Sequence, residues 1–337
     1  MKILRPLTGI FLGGTALIAS YLMIVVTLAG QDVRAQGETK KVNILVIGNS
    51  FSGNALKYLE KIVVSAGDCE MKVGHASIGG CPLEKHLNLA MKHEKNPSDP
   101  EGMPYTLAGK KGGLKEMLSA DKWDCATIQQ YSMYSFKIDT FRPHAKELCD
   151  YIRKYAPQAE IIFHQTWAYR SDDPLFVKGF TQEKMYQELT KAYYTVAGET
   201  GIKRVIPVGN AFQLTSESQE WAFKRDPSFD YSNPKQPGLP AEPHSLHAGF
   251  GWRKKGDKTS FSYDGHHAGP AGEFLAGCVW CESLFGKDVR KTGFKPEKMT
   301  PEDAAFLKSI AHKAVIEDVK PAAWPFSGPE QKPASNQ

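Results

Sequence analysis

The 337-residue chain has no strong excess of either charge: 42 Lys and Arg stand against 37 Asp and Glu, a formal net charge of +5. Proteins that track a polyanion carry a concentrated basic face, so this balance argues against nucleic acid as a partner. Metal-ligand spacing is missing too. The ten histidines contain no i, i+4 pair, and the single Cys-x-x-Cys, Cys278 to Cys281, has no second pair and no Cys–His cluster beside it. No internal repeat is visible. The composition, 41% hydrophobic and 23% charged, is that of an ordinary globular domain with long insertions.

What is present begins with a targeting signal. "MKILRP" supplies positive charge, Ile10 to Ala29 carries no charge, and "VRAQ" offers small-residue cleavage after Ala35. Residues 1–35 read as a signal peptide or, because twenty uncharged residues can span a bilayer, as an N-terminal membrane anchor through residues 10–29. Either way the folded part is expected to be exported: periplasmic, secreted or held at the envelope. Six cysteines follow this segment. In an export compartment some can pair, with Cys69 and Cys81 the nearest candidates. Cys125 in an apolar run and Cys149 on a helix face read as buried thiols, and Cys278 and Cys281, mid-helix beside Phe274 and Phe285, as core packing.

Short apolar runs alternate with helical patterns. "VNILVI" (42–47), "MKVGHA" (71–76), "DCATI" (124–128), "EIIFH" (160–164) and "RVIPV" (204–208) predict strands buried on both faces. Stripes such as Leu59, Ile62, Val63, Ala66 and Met185, Leu189, Ala192, Val196 predict helices between them. A last helix is expected at Thr300, with Pro301 in its first turn and Asp303 completing a capping box. The fold class is α/β, a three-layer α/β/α sandwich with a mostly parallel central sheet over residues 40–320. Segments 92–113 and 224–258 read as long loops, and 326–337 as a disordered tail.

In such a sheet, sites form at the carboxyl ends of the strands. Ser50 follows the first strand in "GNSFSGN", Gly79–Gly80 the second, Gln129 the third, and His164 and Trp167 the fourth. A serine hydroxyl needs a base to take its proton and a group to orient that base. "FSYDGHHAGPAGEFLAG" supplies both: Asp264 in a compact turn can hold Nδ1–H of His267, leaving Nε2 to face Ser50. The adjacent His266 should then point elsewhere. Ser50 N–H, Gly80 N–H and an amide from Gln129 or Gln130 are the candidate oxyanion donors, with the Ser132 hydroxyl in reserve. Trp167, Tyr169 and Arg170 are candidates for a sugar-stacking wall with a cation beside it, or for a loop covering the core edge. His86, His93, His144 and His312 read as ordinary surface or helix histidines, while His244 and His247 lie in a loop within reach of the site.

These blocks resemble the SGNH hydrolases (GDSL-type esterases and lipases). "Gly48-Asn49-Ser50" stands where that family has Gly-Asp-Ser, "ASIGGCP" matches its oxyanion-glycine segment at Gly80, and Asp264 to His267 matches its terminal Asp-x-x-His. The resemblance spans roughly residues 42–286, and "ILVIGNSFS", "DCATIQQYS" and "DGHHAGPAGEFLAGCVW" are closest to a bacterial branch of the superfamily. It implies a Ser50–His267–Asp264 triad, no cofactor, and hydrolysis of an O-acyl ester, O-acetyl on carbohydrate in the exported members. Two positions depart from the pattern: Asn49 replaces the Asp, and the third block has no Asn, so that Gln129 is expected to substitute. The competing classes are a glycan-binding module on the same fold and a metal-dependent phosphoesterase using Asp264, His266, His267 and His75 or His164.

Overall fold

A computed structural model describes residues 39–317. The expected signal or anchor (1–35) and the expected tail (326–337) lie outside the described residues. Among the described residues no helix is long and apolar enough to cross a membrane.

The chain opens with β1 (Lys40–Gly48), α1 (Ser50–Leu56), α2 (Leu59–Ser65) and β2 (Cys69–Ser77). There follow α3 (Leu83–Lys95), a small hairpin of β3 (Tyr105–Leu107) and β4 (Lys110–Gly112), α4 (Leu114–Ser119) and β5 (Cys125–Ile128). Next come α5 (His144–Tyr155), β6 (Glu160–His164), α6 (Gln182–Thr200), β7 (Arg204–Ile206) and α7 (Val208–Ser216). The chain then forms a hairpin of β8 (His247–Lys255) and β9 (Lys258–Ala268), and ends in α8 (Pro270–Phe285) and α9 (Pro301–Ile316). Five strands form a parallel sheet in the order β2-β1-β5-β6-β7. Helices α1, α2, α8 and α9 pack together, as do α3 to α5, giving the three expected layers.

β1 lies inside the sheet between β2 and β5, and Ile44, Leu45, Val46 and Ile47 are each at most 1% exposed. Such burial fixes the strand as a rigid mount for whatever follows Gly48. α8 is apolar on all sides, with Phe274, Leu275, Cys278, Val279, Trp280 and Cys281 wholly buried, which suits a helix enclosed by neighbours rather than one facing water. It starts at Pro270, where a missing N–H costs nothing, and stops at Gly286.

Several expectations are corrected. β2 and β7 are edge strands, and β2 is less buried than its sequence run suggests, whereas Val205 and Ile206 of β7 are buried as expected. β7 has only three residues because Pro207 offers no N–H to extend the ladder and α7 begins at once. The segment 92–113 is not a bare loop: α3 runs to Lys95, and the β3–β4 hairpin follows. The segment 224–258 ends in β8, which pairs antiparallel with β9. Thr300 Oγ1 accepts from Asp303 N as a cap should, but the Asp303 carboxylate lies 3.2 Å from His244 Nε2 rather than closing a box.

All six cysteines are free and buried. Cys69 starts β2 and Cys81 follows its far end, on the order of 25 Å apart at the usual rise of a strand, far beyond disulfide reach. Cys278 and Cys281 are core residues, as their helix face suggested.

Candidate active site

The site is built on the turn between β1 and α1. Asn49 has extended backbone and caps α1, its Oδ1 accepting from Phe51 N at 3.1 Å. Ser50 is thereby the first residue of a helix, where backbone N–H groups have no partner inside the helix. Gly48 permits the tight turn: a Cβ there would lie 2.3 Å from Ser52 Oγ.

The other half arrives on β9. Between the pairs Gly249–Asp264 and His247–Ala268 the register slips, so Gly265, His266 and His267 bulge from the strand. Bulges re-aim side chains, and this one, rather than the compact turn expected, turns His267 toward Ser50. Ser50 Oγ–H donates to His267 Nε2 at 2.8 Å, and His267 Nδ1–H donates to Asp264 Oδ2 at 3.0 Å. Asp264 also accepts from the backbone N–H groups of His266 and His267 and from Arg253 Nη2 at 2.8 Å. Burial opposes its charge, but the donors from His267 and Arg253 prevail and hold its carboxyl far below the usual carboxylate range. An ionised Asp264 keeps the His267 proton on Nδ1, so Nε2 is free to accept.

His266 points elsewhere, with Nε2 2.9 Å from Asp173 Oδ2 and its ring 3.9 Å from that of Tyr169. Gly80 has φ +61°, a left-handed conformation that favours glycine, and the nearest atom to an added Cβ would be Tyr131 Cε2 at 3.8 Å. Among the described residues neither Ser50 N–H nor Gly80 N–H is spent on a protein acceptor.

The glutamines are a correction. Gln129 is wholly buried behind the turn: its Nε2 donates to Asn49 Oδ1 at 2.6 Å, and its Oε1 accepts from Ser52 Oγ and from His164 Nδ1 at 2.8 Å. Gln130 donates to Thr140 O and accepts from Leu83 N and Tyr131 N. Neither amide is left for an oxyanion, because Gln129 is spent on side chains beneath the turn and Gln130 on backbone groups of the neighbouring loops. Ser132 Oγ is buried too, bonded to Tyr169 Oη.

The aromatic wall is also corrected. Trp167 is wholly buried, stacked between Phe51 at 4.2 Å and Phe212 at 4.5 Å, with Nε1 donating to His266 O at 2.9 Å. Tyr169 is equally buried, and Arg170 is locked by Asp172 and Glu242 with its guanidinium over Phe223. The β8–β9 hairpin covers the strand-end loop that the sequence left open. Trp167 therefore supports the bulge from beneath. The accessible rings nearby are the half-buried Tyr131, which lies beside Gly80, and the exposed Tyr134, 5.4 Å from it edge to face.

The histidines expected at a metal centre do not converge. His267 serves Ser50, His266 serves Asp173, His164 is buried against Trp280, and His75 sits mid-strand on β2. Glu282, Asp288 and His312 do cluster, but Arg290 already pairs with Asp288, and Glu282 lies near the other end of α8. His86 and His93 lie on helix α3, one of the two expected places, with their side chains buried, while His247 donates to Ala168 O instead of reaching the site. Arg253 and the Tyr131–Tyr134 pair were missed in the sequence. Only the nearness of "YSMY" to the third strand end could have marked the tyrosines.

Residues 43–232 and 253–314 match the family model DUF4886, a domain of unknown function. Among solved structures, a DUF4886 family protein from Bacteroides uniformis is 25% identical with a TM-score of 0.62, over 83% of this chain and 96% of that one. A candidate SGNH hydrolase from Slackia heliotrinireducens is 19% identical with a TM-score of 0.45, over 73% of this chain and 100% of that one. A lipase/acylhydrolase from Enterococcus faecalis is 15% identical with a TM-score of 0.40, over 77% and 100%. No curated protein matches the sequence. The family model spans both Ser50 on its turn and His267 on its bulge, and the chain belongs to the DUF4886 family.

Proposed function

We propose that this protein is a serine hydrolase of the SGNH type that cleaves short O-acyl esters, O-acetyl groups on carbohydrate foremost. The observation that carries the reading is the unbroken line Ser50 Oγ to His267 Nε2 to Asp264, at 2.8 and 3.0 Å. In this reading His267 takes the Ser50 proton as the oxygen attacks the ester carbonyl. The oxyanion is met by the N–H groups of Ser50 and Gly80. Collapse breaks the bond to the alcohol, which leaves with the proton from His267. Water, deprotonated by the same imidazole, then attacks the acyl-serine, and the acid leaves as the imidazolium returns the proton to Ser50 Oγ. Asp264 stays ionised throughout and stabilises the imidazolium.

A short acyl group is favoured because the His267 side chain is 40% exposed, so the site opens to water rather than into a tunnel. The alcohol half then lies outside, where Tyr131 and Tyr134 offer aromatic edges and faces to a sugar ring. The N-terminal segment is the basis for proposing that the enzyme acts outside the cytoplasm. The test is labelling with a fluorophosphonate, followed by peptide mapping. The expected adduct is on Ser50; an unlabelled protein, or an adduct elsewhere, rejects the mechanism.

A further inference from the structure

We infer that Asn49 is a positioning residue of this site: its side-chain amide clamps the nucleophile turn to the oxyanion loop, and Gln129 holds that clamp in orientation. The inference rests on the hydrolase reading above and goes beyond it.

The orientation of the amides follows from two backbone groups whose roles are fixed. Phe51 N–H can only donate, so the Asn49 atom facing it at 3.1 Å must be Oδ1. The Cys81 carbonyl can only accept, so the Asn49 atom facing it at 3.1 Å must be Nδ2. Oδ1 also faces Gln129, which must present Nε2 there, at 2.6 Å. Gln129 Oε1 is then left to accept from Ser52 Oγ–H and His164 Nδ1–H. The fixed backbone partners thus leave only one orientation of the two amides. Asn49, Ser52, Gln129 and His164 are each at most 2% exposed, so water cannot substitute for a lost partner.

Cys81 follows Gly80 directly. Fixing the Cys81 carbonyl to Asn49 fixes where the Gly80 N–H points relative to the Ser50 N–H, one residue after Asn49. A second tie holds the other end of this loop: Gly48 O accepts from Ile78 N at 3.0 Å and from His86 Nε2–H at 3.1 Å. Residues 78 to 81 are thus anchored to residues 48 and 49 at both ends. This explains the departure from Gly-Asp-Ser. An ionised Asp would accept from Phe51 and Gln129 but would set a carboxylate oxygen against the Cys81 carbonyl.

Among the described residues, the one cation acting on this neighbourhood, Lys85 on α3, is exposed and screened by water, and the buried groups offer such a carboxylate no counter-charge. His86 on α3 and His164 on β6 are pushed down by burial to about 4 and about 3, and the Cys81 thiol is pushed up to about 12. His267, across Ser50, is engaged by Asp264. A carboxyl placed at position 49 is therefore forced toward its protonated form, which regains an O–H donor for Cys81 O.

The test is Asn49→Asp in the full chain, with kcat and KM measured on p-nitrophenyl acetate from pH 5.5 to 8.5 and Tm measured alongside. The expected result is a kcat loss of about 100-fold at pH 8.5, the scale of a displaced donor, shrinking to less than about tenfold at pH 5.5, with KM changed by less than about threefold. The Tm deficit against wild type should grow as pH rises from about 4 and then level off, because a raised folded-state carboxyl withdraws stability on ionising. Asn49→Asp within twofold of wild type at pH 8.5, or a loss equal at every pH, overturns the clamp. A wild type that neither turns over ester nor takes the fluorophosphonate overturns the hydrolase reading instead, and the pH-dependent Tm deficit then decides the clamp by itself.

Discussion

A hydroxyl held 2.8 Å from an imidazole whose other nitrogen meets an ionised carboxylate has its proton-transfer path already laid out. At this scale Ser50→Ala is expected to lower ester turnover by about three orders of magnitude or more, as loss of an activated nucleophile does, while Tm stays within about 1 °C. Steady-state kinetics and thermal denaturation check both halves. Asp264 links the site to stability through pH. Its folded-state carboxyl is depressed, so its contribution is fully present above the unfolded value of about 3.9 and is lost as pH falls toward the folded one. Asp264→Asn should therefore be less stable than wild type at pH 6, with the gap closing below pH 4 in parallel melts. Trp167 behaves as a core residue. Trp167→Ala should cost about 3–5 kcal/mol in denaturant unfolding, an effect that a sugar platform at the surface would not show.

Two connections would carry the proposed chemistry at the level of elements: the Ile78–Cys81 loop and the β9 bulge. Gly80→Ala forces a side chain into φ +61°, a strain of about 1–2 kcal/mol, and is expected to reduce kcat about tenfold while KM holds. An unchanged kcat would mean that the Gly80 N–H does not meet the oxyanion. The strand β1, the turn to Ser50 and the pairing of Asp264 with His267 were all legible in the sequence, because each is local: an apolar run, a helix start, a two-residue gap. What was not legible depended on partners far along the chain. Gln129 and Trp167 sit at strand ends that ought to face the crevice. Gln129 is instead drawn under by Asn49 and His164, and Trp167 is covered by a hairpin some eighty residues later. That hairpin has the sequence of a loop, because "WRKKGDK" carries no apolar alternation toward its tip, although its backbone pairs in register up to Lys255 and Lys258. No local pattern announces such a cover.

The whole molecule keeps its thiols out of reach. Cys69, the most exposed, is 8% accessible, and burial lifts Cys81, Cys125, Cys149 and Cys281 to about 12. Native protein should give almost no colour with Ellman's reagent over minutes, and six equivalents once unfolded in guanidinium; rapid native reaction would contradict the packing described. The layout of the triad has a further result, in time rather than space. Ser50 and His267 are separated by 217 positions, and the bulge that aims His267 exists only once β8 and β9 have paired and settled over Trp167. Until the last third of the chain has been synthesised and docked, the serine is an ordinary alcohol. In the proposed mechanism, reactivity toward esters is thus the final product of folding: a nascent, truncated or partly unfolded copy would carry every residue before the hairpin and still lack the base that Ser50 needs.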